Sequence, residues 1–384
     1  LQETPIITQG AFDSQNTAYW DCVQKKYVAN IRTFEAGFRT VSRSVSTDFR
    51  NWSTPQFWTY GDTPREHLYT NAAVPYYRAP QFWLALPMRW ERNRLTIWED
   101  DTPIDGVSDG VFLSSRNGQN WDRRFMEGFI RGGLDPLNWG NSHGNNAPVW
   151  GIVPTGDNEM SIYWTEHFGA SIPMGAPEEK SQKEGEVTPA EDSGTAPRIR
   201  RGVLKPDGFV SIHAGYYPGE FTTKPLVFVG REMIINYETS AVGTIDVEFQ
   251  DINGNPIPGF TLADCVDTYG DEVERPILWQ RGVDYTTNVS ALSGIPVKIR
   301  FVMNDADLYS IRFAESETLT PEPTLTPTES PTETPTGMDT ETPTETPADS
   351  PTETETPTET PTETPVDTPT PTTTENPVTV WQVY

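Results

Sequence analysis

Across the first 314 residues, apolar positions recur every second residue in short runs, and no stretch holds the three-to-four-residue spacing of an amphipathic helix. Lys26–Ile31, Phe82–Leu86 and Met160–Trp164 show the alternation most plainly. Turn-forming pairs punctuate the chain, among them Asn117-Gly118, Asp207-Gly208 and Asn253-Gly254. Many short strands between such turns predict an all-β sandwich, barrel or propeller.

An internal repeat separates these options for the first half. Ser46-Thr47-Asp48-Phe49-Arg50-Asn51-Trp52 and Ser115-Arg116-Asn117-Gly118-Gln119-Asn120-Trp121 share one frame: Ser, then Asp or Asn two residues on, then Trp six residues on. The frame predicts a hairpin corner in which the Asp or Asn side chain caps the turn and Ser ties to it, while Trp inserts between sheets. Repetition of one aromatic-pinned hairpin is the pattern of propeller blades, expected over residues 1–204. Three blades can be placed there, a partial propeller. Residues 205–314 lack the frame. Their runs, including Met233–Tyr237, Thr244–Phe249, Val297–Val302 and Leu308–Phe313, predict an antiparallel β-sandwich with one face buried. The mixed-charge stretch 178–196 reads as a surface insertion.

From residue 315 the pattern ends. Residues 315–384 repeat Thr-Pro-Thr-Glu loosely and hold 15 acidic side chains with no Lys or Arg. Such a segment cannot bury apolar surface, and its prolines forbid helix and central strand. It is expected to be a disordered, extended stalk, either O-glycosylated or unmodified, through which the protein would attach to a cell surface. The final turn to apolar residues, Val378 to Tyr384, is far shorter than the roughly 20 residues of a membrane span, and no other run approaches that length.

Removing the tail leaves a net charge of −12 from the formal −27 of the chain, on a front part rich in aromatic residues. Such a surface excludes nucleic acid as a partner, because phosphate binding needs clustered basic residues and only the short runs Arg123-Arg124 and Arg200-Arg201 occur. Surplus carboxylates with 21 Arg against 7 Lys suit a high-salt environment or a generic acidic extracellular protein. Cys22 and Cys265 fall in different predicted domains and are expected to be free and buried. The start Leu1-Gln2-Glu3 carries no signal sequence and suggests a processed or truncated product. No cofactor is implied.

The Ser-x-Asp-x-x-x-Trp corner resembles the blade motif of five-bladed β-propeller glycoside hydrolases, the superfamily of families 32 and 43. Several strings look like a largely uncharacterised bacterial and archaeal group within it that carries a C-terminal β-sandwich. They are Phe12-Asp13-Ser14-Gln15-Asn16, Glu66-His67-Leu68-Tyr69-Thr70-Asn71, Val107-Ser108-Asp109-Gly110-Val111, Tyr163-Trp164-Thr165-Glu166-His167 and Asp305-Ala306-Asp307-Leu308-Tyr309-Ser310. The resemblance covers roughly residues 10–314. It implies three carboxylates around a funnel: a base or nucleophile, a transition-state stabiliser and a proton donor. An oxocarbenium-like transition state needs a protonated carboxyl on the leaving oxygen and an ionised one opposite. On this pattern Asp13 is the candidate base and Glu166 the candidate acid, with Asp109 and Glu66 competing for the third role. Where family 32 has Arg-Asp-Pro this chain has Arg78-Ala79-Pro80, and the family's Glu-Cys pair and Asn-Asp-Pro opening are absent.

Asn16, His67, Asn71, Arg78, His143, Trp150, Trp164 and His167 are the candidate substrate contacts, and Trp90 and Trp139 are further candidates for stacking on sugar faces. The histidines lack the tight spacing of a metal site. Asn51-Trp52-Ser53 and Asn288-Val289-Ser290 are N-glycosylation sequons. Two readings result: a secreted or surface-attached glycoside hydrolase acting on polysaccharide or oligosaccharide, or a non-catalytic glycan-binding head on a stalk. They differ in whether Asp13, Asp109, Glu66 and Glu166 converge on one funnel.

Overall fold

The structure, a computed structural model, describes residues 5–94, 106–139, 145–168, 197–315 and 382–383. Residues 178–196, His143 and almost all of the Thr/Pro/Glu segment lie outside the described residues. The described chain is all-β apart from two single-turn 3₁₀ helices, Pro136–Trp139 and Ser290–Leu292.

Before residue 205 the strands form small antiparallel sheets. The first runs Thr17–Asp21, Lys26–Glu35, Phe38–Ser46, Gln56–Phe57 in sequence order, as successive hairpins require. A second has the order Trp121–Asp122, Leu113–Ser115, Ala79–Ala85, Val74–Tyr76, and a third Gly128–Ile130, Val107–Val111, Met88–Glu91. These two sheets share their long strands. The chain passes from one to the other at Leu86-Pro87 and again at Phe112, where Val111 N–H donates to the Pro87 carbonyl at 2.9 Å. They are one hairpin bent in the middle. A last sheet joins Val153–Gly156, Glu159–Glu166 and Arg198–Leu204. One apolar cluster (Val41, Trp58, Leu68, Trp83, Leu113, Trp121) lies between the first two sheets, and another (Leu84, Leu86, Phe112, Ile130, Met160, Ile162, Phe209) between the bent hairpin and the last.

The repeated corner is built as its residue types require. Ser46 Oγ donates to Asp48 Oδ1 at 3.0 Å, and Asp48 Oδ1 accepts from Arg50 N and Asn51 N at 2.8 and 2.7 Å. Ser115 Oγ meets Asn117 Oδ1 at 3.2 Å, and that oxygen accepts from Gln119 N and Asn120 N at 2.9 and 2.8 Å. The residue after the cap is left-handed in both, Phe49 at φ +62° and Gly118 at φ +69°. The tryptophans differ. Trp121 is buried against Trp58 with ring centroids 4.2 Å apart, whereas Trp52 stays at its own corner beside Phe49.

Beyond residue 205 one sheet dominates. Glu232–Gln250 pairs with Asp271–Pro276 on one side and Lys298–Ala314 on the other. Ile212–Ala214 and Gly219–Thr222 both add to the far side of Lys298–Ala314, and Gln382–Val383 pairs with Ile212–His213. Ile245, Val247 and Phe249 alternate into a core with Ile299, Phe301 and Met303, as Thr244–Phe249 predicts. Phe260, Ile277, Trp279, Val289 and Leu292 cover that face; they come from loops, one hairpin and a 3₁₀ turn. Midway, residues 240–243 bulge opposite Asp305, and a Cβ on Gly243 would strike the Asp305 carbonyl.

Both cysteines are free. Cys22 corrects the expectation of two buried thiols, because it sits exposed in the turn between Thr17–Asp21 and Lys26–Glu35. Cys265 is largely buried, which pushes its thiol up to about 12.

The corner geometry predicts that Ser115→Ala, which leaves the buried Gly118 amide and the exposed Asn117 amide without their acceptor, destabilises the protein by about 1–2 kcal/mol in chemical denaturation. Ser290→Ala, at an exposed position, serves as the control with an expected change below about 0.5 kcal/mol.

Candidate functional site

Residues 66–70 form no named strand, yet they are pinned on both sides. Leu68 N–H donates to the Arg39 carbonyl at 3.0 Å, Tyr69 N–H to that of Met88 at 2.8 Å, and Trp90 N–H to that of His67 at 2.9 Å. The segment therefore bridges the first and third sheets and turns Glu66 inward. Glu66 accepts from Arg123 Nε and Nη2 at 2.9 and 3.1 Å, and from Arg89 Nη1 at 2.8 Å. Arg89 also grips Asp109 through Nε at 2.8 Å and Nη2 at 2.5 Å. Both arginines donate to the Met126 carbonyl, at 2.8 and 3.1 Å, which fixes the chain just before Glu127. Gly128 then lies so close to Asp109 that a Cβ would overlap its carboxylate.

These groups line a cleft of about 750 Å³. Glu66, Glu91, Asp109 and Glu127 face it with Phe38, His67, Trp90 and Trp139 and the arginines 65, 89, 92, 94 and 131. The cleft size and its mix of aromatic and charged walls suit a sugar chain. Its carboxylates fall into two kinds. Glu66 and Asp109 are clamped by arginine, whereas Glu91 and Glu127 make no ion pair among the described residues. His67 stacks on Phe38 at 4.9 Å and accepts the Arg39 N–H at Nδ1. Its burial, then the charges of Arg39 and Arg92, push its imidazole below the usual range.

The other candidates sit elsewhere. Asp13 is an exposed partner of the buried Arg32; burial works upward on its carboxyl and is outweighed by its own backbone amide and Arg32, which lower it. Asn16 Oδ1 accepts the Arg32 N–H at 3.0 Å, and the wholly buried Asn71 bonds Thr17 and Gln15. Both asparagines lace the N-terminal segment onto the sheets. Arg78 is bonded to Asp207 at 3.0 Å and Glu274 at 2.5 Å, so it ties the first half of the chain to the large sheet. Trp150 donates to the Ala73 carbonyl at 2.7 Å and stacks near Tyr19, while Trp164 packs on Gly202. His143 lies outside the described residues.

Glu166 belongs to a second centre. It is buried and accepts from Arg198 Nε at 2.8 Å and Arg200 Nε at 2.7 Å. Burial pushes its carboxyl up, and the hydrogen bonds and charges of Arg200 and Arg198 outweigh it, holding the group below the usual range. That is the reverse of what a proton donor needs. His167 lies beside it, buried and left-handed at φ +56°, with Nε2 2.7 Å from Asp135. Asn138, whose Oδ1 accepts the His167 N–H, precedes Trp139 of the cleft wall, so the two centres adjoin. The two basic runs are spent on such pairs: Arg123 on Glu66, Arg124 on Asp122, Arg200 on Glu166 and Arg201 on Glu159. Among the described residues no group of His, Cys, Asp or Glu is arranged to hold a metal, and no helix is long and apolar enough to cross a membrane.

No family model matches the chain, and no curated protein matches it. Solved structures similar to it include glycoside hydrolases of the family 43 and family 32 type. An N-acetylgalactosamine deacetylase from F. plautii is 12% identical over 42% of this chain and 42% of its own, with a TM-score of 0.30. A glycosyl hydrolase from Bacteroides ovatus is 15% identical over 40% and 42%, with a TM-score of 0.25. A family 32 β-fructofuranosidase from Bombyx mori is 10% identical over 79% and 92%, also at 0.25. The chain thus spans less than half of the first two proteins. Such slight likeness carries no argument about chemistry, which rests on the cleft.

Replacing Glu166 by Gln removes the charge that Arg198 and Arg200 share. Its folded pKa lies below the ordinary value of 4.5, so the stabilisation is full at neutral pH and is lost as pH falls below that value. Urea denaturation should show Glu166→Gln less stable by about 2 kcal/mol at pH 7. The gap to wild type should narrow as pH falls below 4.5; an undiminished gap would contradict the ion-pair account.

Proposed function

We propose that the protein is a glycan-active hydrolase whose active site is the cleft between residues 66–70, 88–94, 107–109 and 127–139. One observation carries the reading: four carboxylates and three large aromatic side chains share this cavity, and the carboxylates differ in their partners. Hydrolysis of a glycosidic bond needs one ionised carboxylate and one that keeps a proton. Arg89 and Arg123 fix the carboxylate oxygens of Asp109 and Glu66 in place, which suits the support of positive charge developing at the anomeric carbon. Glu127, next to Gly128 in the chain and without an ion pair among the described residues, protonates the leaving oxygen as the C–O bond breaks, and the water that supplies the new hydroxyl to the anomeric carbon returns its other proton to Glu127. Trp90, Trp139 and Phe38 offer stacking faces for the sugar rings.

The wider reading keeps a propeller over 1–204, a sandwich over 205–314 and a stalk over 315–384, acting on extracellular polysaccharide from a secreted or surface-attached position. The clamps also favour a second reading, a glycan-binding head without catalysis, because Asp13 and Glu166 stand away from the cleft in ion pairs of their own.

A screen for reducing ends released from polysaccharides separates the two. Glu127→Gln and Asp109→Asn should each lower the rate at least about hundredfold, while Glu166→Gln, assayed at neutral pH where it remains folded, keeps most of it. Full activity in Glu127→Gln overturns the assignment. Glycan binding with no release by the wild-type protein favours the binding head.

A further inference from the structure

Three of the arginines that make no ion pair among the described residues gather in one cavity of this acidic protein. Internal pairs account for Arg89 and Arg123 with Glu66 and Asp109, and for Arg65 with Glu35. Arg92, Arg94 and Arg131 are left lining the cleft, exposed and without an ion pair among the described residues, against only Glu91 and Glu127. Among the described lining residues five arginines face four carboxylates, in a chain of net charge −27. A further guanidinium stands behind the wall. Arg39 lies over the Trp90 ring at 4.1 Å and near Tyr69 at 5.1 Å; it has no carboxylate partner among the described residues, and its Nε is buried without a hydrogen bond there. Guanidinium groups left over at a low-dielectric wall attract anions, and their planar forks match carboxylate and sulfate oxygens.

We propose that the cleft is specific for an anionic glycan, one whose sugars carry a carboxylate or a sulfate ester that Arg92, Arg94 and Arg131 engage. This inference rests on the cleft being the glycan site, and it names the class of sugar. Neutral glycans would leave these arginines facing water, whereas a uronate or sulfate ester gives them charge-assisted hydrogen bonds.

Calorimetric binding to the full chain carrying Glu127→Gln tests the proposal without requiring turnover. The probes are polygalacturonate, a sulfated galactan and a neutral galactan at about 0.15 M salt, where charges beyond about 8 Å are screened. The expected result is binding of at least one anionic polymer about tenfold or more tighter than the neutral one. Preference for polygalacturonate identifies the carboxylate, and preference for the sulfated polymer the sulfate ester. Arg92→Gln with Arg94→Gln, and separately Arg131→Gln, should each weaken that binding about tenfold, while Arg201→Gln, whose partner is Glu159, should not. The variants change exposed side chains, so the fold should persist. A bound anion should also raise the titration midpoint of His67, which Arg39 and Arg92 depress, and proton NMR of the few histidines reads this. Equal binding of neutral and anionic polymers, or binding indifferent to all three arginines, overturns the proposal. Anionic binding without any release of reducing ends from the wild type overturns only the hydrolytic reading. Cleavage of a neutral glycan with no anionic preference overturns only this inference.

Discussion

Arg89 is the group on which the cleft depends. Its guanidinium spans Glu66 from the connecting segment, Asp109 from the neighbouring strand and the Met126 carbonyl from the chain leading to Glu127. The connecting segment is thereby tied to the third sheet by a side chain as well as by its few backbone hydrogen bonds. The sheets here are narrow, so backbone ladders alone cannot fix the position of one sheet against another. Asp207, bonded to Tyr76, Arg78 and Ser310, does that work between the second sheet and the large one, while Arg32 with Asp13 ties the N-terminal segment to the first sheet. Each hub is partly buried, where the attraction between unlike charges is stronger than in water and an unpaired member is costly.

This reliance on ion pairs explains what the sequence conveyed. Period-two alternation is a local property, so strands such as Lys26–Glu35 and Glu159–Glu166 were legible from their own residues. The Ser-x-Asp corner was legible for the same reason, since its hydrogen bonds close within six residues. The bent hairpin was not, because the passage at Leu86-Pro87 changes sheet without any break in the apolar pattern.

The site was harder, since a carboxylate's role depends on neighbours far along the chain. Glu66 and Asp109 were visible as candidates, but Arg89 and Arg123, which hold their oxygens, are 20 to 57 residues away from them. Glu166 drew notice as an isolated acid beside Trp164 and His167, yet the strand Arg198–Leu204 brings two arginines onto it. Arg78 looked like part of a substrate motif because of Pro80, and Asp207 took it instead. Glu127 escaped notice altogether. Its sequence neighbours are unremarkable, and only the meeting of Gly128 with Asp109 marks it. The one local signal was Met88-Arg89-Trp90, an arginine between two buried apolar residues of a strand, where a charge needs a partner.

The clamps constrain the chemistry as well as the fold. A carboxylate bound by a guanidinium is a weak base, since taking up a proton would break the pair. It is nevertheless a good source of fixed negative charge, because it is already ionised and already oriented when positive charge appears at the anomeric carbon. Asp109 and Glu66, oriented by Arg89 and Arg123, are placed for electrostatic support, and the proposed proton donor is a cleft carboxyl that makes no ion pair among the described residues. The same logic limits the arginines. Those committed to Glu66 and Asp109 cannot also bind a ligand's anion without releasing a carboxylate, so recognition of charge falls to Arg92, Arg94 and Arg131 at the mouth of the cleft. Reaction and recognition are thus assigned to separate sets of charges, and substitutions in one set should leave the other in place.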